Sequence, residues 1–283
     1  MIKKYVIGLV LALTTVLTVG ACKFQFQNGV SVQGSAREAH GKKVFEQEHP
    51  IAMIQELKTA YSLDIKIIRA DRPRLVVMST DSTRLADFRI KTLEAGELSI
   101  YDAALAGETS RKHYEEVEML AVDIYLPSLA SLDASGATSV VFEGAFEMPS
   151  LSIDGSGATK ISGLELKAGT LSIDLSGASK LNISTLQAHK FSLELSGASK
   201  VDAEGEVKVF DCDLSGASKC TLSSLNCTEA NIQSSGASKV LLGEVDELSY
   251  SLSGASKLEV KGSPRVRSAE SSGASSVNIV PKA

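Results

Sequence analysis

A four-residue hinge, Ser-Gly-Ala-Ser or Ser-Gly-Ala-Thr, recurs eight times in this 283-residue chain. Its serines are Ser135, Ser156, Ser176, Ser196, Ser215, Ser235, Ser253 and Ser272, separated by 18 to 21 residues. A fixed period near 20 residues signals supersecondary units stacked on one another. The residues around each hinge say which unit. Three before the serine stand Leu132, Ile153, Ile173, Leu193, Cys212, Ile232, Tyr250 and Ala269; five after it stand Val140, Ile161, Leu181, Val201, Cys220, Val240, Leu258 and Val277. A further apolar column lies five before the serine, from Ala130 and Leu151 to Leu248, until Arg267 breaks it. Spacing by two on each arm is strand periodicity, not the 3.6 of a helix. The fold class is therefore all-β: a parallel β-helix of ~20-residue coils, right-handed by the general rule for parallel strands. Neighbouring coils lie ~4.8 Å apart, so eight span roughly 40 Å.

The hinge itself reads as a corner. The glycine supplies a positive φ or a close backbone approach. The alanine is expected to point inward where strands converge. The Ser or Thr after it is expected to bond backbone groups that miss their ladder partners.

The segment at 44–129 shows short β-runs continuous with the repeats: 62–68, 74–79, 97–102 and 115–127. Residues 81–88 read as one short helix capped by Asp81 or Ser82. The terminal coil, 264–276, departs from the columns and is expected to cap the stack. The repeat region is 130–283, and 22–43 reads as a polar tether.

Residues 1–21 read as a signal peptide. Lys3 and Lys4 give a basic start, an apolar run follows, and "VGAC" ends it. This run resembles the lipobox of bacterial lipoproteins, which implies lipidation of Cys22 and a membrane anchor. Lys23 follows where an Asp would signal inner-membrane retention, so the outer membrane is favoured, with the leaflet open. The apolar run is too short for a spanning helix. Without the signal the chain keeps 27 basic against 34 acidic residues, which together with export disfavours a nucleic-acid partner. Cys212, Cys220 and Cys227 remain, an odd number that excludes a full disulfide framework. Cys212 and Cys220 occupy inward columns and read as buried thiols; Cys227 is not expected to pair.

Two charged columns flank the hinge. Lys160, Lys180, Lys200, Lys219, Lys239 and Lys257 lie four after their serines. Asp133, Asp154, Asp174, Glu194 and Asp213 lie two before, lapsing to Gln233 and Ser251 and returning as Glu270. Stacked like charges repel by about 1 kcal/mol per pair in water, so opposite charges or counterions are expected close by. The lysines are a candidate binding face for an anionic glycan; otherwise both columns are solvated strand faces. A Ca²⁺ role for the acids is disfavoured, because the hinges hold no acid. His40, His49, His113 and His189 show no metal-ligand spacing, and no metal or cofactor is expected.

Catalysis finds little support. A retaining glycosidase singles out one carboxylate pair about 5 Å apart, whereas this stack makes such a pair at every step. A polysaccharide-degrading enzyme is the alternative reading, as is a structural or regulatory envelope protein acting through a protein partner.

The "LSGASKL"-type coils, with "VDIYLPSLASLDASGATSV" upstream, resemble the putative auto-transporter adhesin, head GIN domain family, common in Bacteroidetes. The resemblance covers residues 44–283. It implies an exported β-helical protein, and its adhesin label supplies no ligand. Export, the tether and the regular polar face lead us to expect adhesion or binding, with a surface glycan or envelope protein as partner. The resemblance brings no catalytic residues.

Overall fold

The computed structural model describes residues 37–39, 42–92, 96–109 and 120–281. The signal segment, Cys22, His40 and His113 lie outside the described residues. From the second hinge to the seventh, each strand runs from one corner to the next: Lys160–Leu175, Lys180–Leu195, Lys200–Leu214, Lys219–Ser234 and Lys239–Leu252. Each pairs in parallel with the coil before and after it. The molecule is thus a parallel β-solenoid of about eight turns with ~20-residue coils.

Alternation breaks twice more within a coil. In Lys180–Leu195 the exposed pairs Ser184–Thr185 and His189–Lys190 interrupt it, leaving three short straight runs. Their inward side chains stack as columns: Val140, Ile161, Leu181, Val201, Cys220, Val240 and Leu258 are all at most 1% exposed. Phe191 lies on Phe210 with ring centroids 5.1 Å apart. An inner column one residue before the hinge, Leu175, Leu195 and Leu214 among them, completes the core.

The corner differs from the expectation in one respect. The alanine is exposed, and the Ser or Thr after it points inward: Thr138, Thr159, Ser179, Ser199, Ser218, Ser238 and Ser256 are at most 1% exposed. Most of these hydroxyls donate back to the hinge serine's carbonyl, as Thr159 does to Ser156 and Ser179 to Ser176, both at 2.8 Å. The hinge Ser, Ala and Lys amides do meet partners on the coil before: Ser196 on Leu175, Ala198 on Gly177, Lys200 on Ser179. Glycine is needed because φ is near +70° and a Cβ would strike the previous glycine's carbonyl.

A further corner precedes the first motif. Glu56–Thr59 and Asp64–Arg69 pair in parallel with Ser131–Ala134 and Ser139–Glu143, so Ala60–Leu63 is a turn of the same solenoid. It makes the same three staples: Ser135 to Thr59, Ala137 to Tyr61, Ser139 to Leu63. Tyr61 occupies the glycine position at φ 72°, a conformation that costs an L-residue about 1–2 kcal/mol.

Below this coil, Glu97–Asp102 and Leu120–Leu126 add a parallel tier. Antiparallel strands close that end: Phe88–Thr92 lies on Glu97–Asp102, Arg74–Ser79 on Leu120–Leu126, and Lys42–His49 on Arg74–Ser79. Structure begins earlier than Val44, since Arg37–Ala39 pairs with Lys42–Val44 inside the expected tether. The helix expected at 81–88 is one 3₁₀ turn, Arg84–Asp87; the Asp81 carboxylate accepts the Thr83 amide at 2.8 Å and spends its capping capacity before the turn.

At the other end two expectations fail. A register shift pairs Leu248 with Val266, so Arg267 sits in a bulge and does not interrupt the inward column. The terminal coil does not bury its apolar groups as a cap would: Val266, Ile279 and Val280 are 41%, 37% and 40% exposed.

Candidate functional site

The lysine column follows directly from the corner. The inward Ser or Thr fixes the phase, so the next residue must point out and the one after it in. Lys160, Lys180, Lys200, Lys219, Lys239 and Lys257 therefore stand in one register line, preceded by Asp64 and Ser139 and ended by Ser276. Five are exposed and Lys239 is half-buried.

The acids nearest them along the strands, Asp202 two after Lys200 and Glu259 two after Lys257, do not pair with them. Among the described residues none of the six lysines forms an ion pair, although Lys58, Lys66, Lys167 and Lys190 all do. The acidic column, two before each hinge serine, lies across the Gly-Ala corner from the lysines. The result is a row of ammonium groups without ion-pair partners at ~4.8 Å steps, bordered by a ridge of exposed Gly and Ala that offers little steric obstruction.

The acidic column is also in register, Asp133 through Asp154, Asp174 and Glu194 to Asp213, and then lapses as the sequence indicated. Its head is a feature sequence periodicity does not show. Lys58 stands in register with Asp133 and is held by Glu97 at 3.0 Å and Glu56 at 3.2 Å. The Asp154 carboxyl is pushed above its usual range by partial desolvation first, then by the flanking Asp174 and Asp133, with a Ser152 hydrogen bond opposing.

Cys212, Cys220 and Cys227 are free and buried. Burial pushes the Cys227 thiol up to about 12, and Cys212 is raised well above its ordinary value by burial and the neighbouring Cys220. Cys212 and Cys227 are therefore poor nucleophiles. His189 is exposed, and among the described residues no group of His, Cys, Asp or Glu is arranged to hold a metal ion. Among the same residues no helix is long and apolar enough to cross a membrane.

Comparison with known proteins gives three findings. The family model described as "Putative auto-transporter adhesin, head GIN domain" matches residues 55–264, beginning where the first parallel coil begins. No curated protein sequence matches the chain. Solved structures share the fold. A putative adhesin from Parabacteroides merdae is 15% identical with a TM-score of 0.75, covering 85% of this chain and 97% of its own. A putative adhesin from Parabacteroides distasonis is 16% identical at 0.76, covering 84% and 98%. A putative lipid binding protein from the same species is 17% identical at 0.75, covering 85% and 98%.

Proposed function

We propose, from the premise that the chain belongs to the putative auto-transporter adhesin, head GIN domain family, that it is a lipid-anchored, exported binding protein whose lysine row contacts an anionic glycan. The observation that carries this reading is the row itself: six in-register lysines without carboxylate partners. Lysines repeated at the coil spacing can engage several carboxylates of one flexible acidic polymer at once. Each contact is worth little alone in water, and the strength comes from their number. Binding, not turnover, is the reading, because the carboxylates from Asp133 to Asp213 repeat in register coil after coil and do not converge as one separate pair. The anchor rests on Cys22 and the residues before it, which would hold the solenoid at a membrane by acyl chains.

A binding assay on an array of acidic and neutral polysaccharides tests the row. The combined variant Lys180→Glu, Lys200→Glu, Lys219→Glu is expected to lose acidic-glycan binding, and the native protein to lose it as salt rises. Unchanged binding in the variant, or no glycan bound by the native protein, defeats the reading. Cell fractionation of Cys22→Ser reads the anchor separately, with release from the membrane as the expected result.

A further inference from the structure

The ridge of corners ends, at its N-terminal side, against a cleft of about 340 Å³ whose rim carries Tyr61. We infer that this cleft is a saccharide subsite, taking one or two neutral sugar units with an apolar pyranose face against the Tyr61 ring. It uses residues other than the lysine row and does not depend on it.

Tyr61 is the starting observation. Among the described residues it is the one non-glycine residue at positive φ, and every later corner of the stack has glycine at that position. The ring does not offset this strain by filling the core, since Tyr61 is 42% exposed. Its backbone carbonyl does the corner's ordinary work, accepting the Ala137 amide, which a glycine would do equally well. What the tyrosine adds is an exposed aromatic side chain on a residue that lines the cleft. An observed backbone outlier that carries an exposed side chain is the kind of feature that accompanies binding sites.

The rest of the cleft supplies what a sugar needs. Around it stand Lys91, Tyr101, Glu108, Asp133 and Ser135. Lys91 lies over the Tyr101 ring at 4.7 Å, and the Tyr101 hydroxyl donates to Glu108 at 2.9 Å. Ammonium and carboxylate groups are mixed, with Lys58 already engaged by Glu56 and Glu97. Such a lining offers donors and acceptors without a strong preference for either sign of charge, which suits a polyol more than an ion. The volume is at the lower end for small-ligand sites.

The far wall, residues 103–109, is built in advance. The buried Asp102 carboxylate accepts the Ala104 amide at 2.9 Å and the Arg84 guanidinium at 3.1 Å. The Ala103 amide donates to Asp87, and the Glu108 amide to Ala103, each at 2.8 Å. A wall fixed by a buried ion pair loses little entropy when a ligand enters.

The test is titration calorimetry of the full chain with a panel of neutral di- and trisaccharides, comparing Tyr61→Gly and Tyr61→Phe. Tyr61→Gly restores the corner glycine, so it is expected to melt at a higher temperature while binding at least about tenfold more weakly. Tyr61→Phe keeps the ring and is expected to bind much like the native protein. The triple lysine variant is expected to keep this binding, which separates the two sites. If Tyr61→Gly binds as the native chain does, or the native chain binds none of the panel, the subsite assignment is wrong.

Discussion

A methyl group on Gly197 would stand 2.5 Å from the carbonyl oxygen of Gly177. That carbonyl cannot retreat, because it accepts the Ala198 amide at 2.7 Å. Gly197→Ala should therefore cost both the left-handed backbone conformation and the collision. Gly107 has a similar φ of 76° but nothing within 4 Å of its hypothetical Cβ. We expect Gly107→Ala to lose about 1 kcal/mol and Gly197→Ala more than about 2, measured by urea unfolding. Equal losses would mean the corner is looser than its geometry implies.

The inward hydroxyls are not equivalent. Ser179 donates to Ser176 at 2.8 Å, whereas the Ser199 hydroxyl is buried without a hydrogen-bond partner. Ser179→Ala is expected to destabilise by about 1 kcal/mol, and Ser199→Ala to be neutral or stabilising. Thermal melts of the two variants side by side decide it.

The acidic column should leave a trace in the pH dependence of stability. Asp154 has its folded-state pKa raised, chiefly by desolvation and then by Asp174 and Asp133. Its ionisation therefore opposes folding: the cost is present at neutral pH and disappears as pH falls through the folded value toward the unfolded one. Asp154→Asn is expected to melt higher than the native protein at pH 7. The gap should close as the medium becomes acidic, and a gap that widens there would reverse the sign.

The solenoid was legible because one pattern recurs at a constant offset, and side chains such as Ile173 and Leu193 can share a column only if coils stack. The strands Arg74–Ser79 and Glu97–Asp102 were readable to the residue for the same reason of alternation. Corner orientation was not. Gly and Ala are both exposed, so the alternation slips by one at the bend, and Ala178 and Ser179 are both small enough to suit either side. The Tyr61 corner was hidden because backbone geometry persists there while the residue types do not. That the lysines make no ion pairs was also out of reach, since spacing along a strand does not fix where a long side chain's head group settles. The conflict at Arg267 dissolved through a bulge, which costs no motif in the sequence.

The corner staples join each coil only to the two beside it, Ala217 reaching back to Gly197 and Ala237 to Gly216. Every seam between coils is thus nearly interchangeable with the next. Removing the stretch from one hinge to the following hinge would bring like residues together, Lys180 meeting the neighbours Lys200 had. The molecule can consequently grow or shrink only in whole coils, each step adding or removing one outward lysine and one increment of length. Its reach is quantised, and reach and charge rise together.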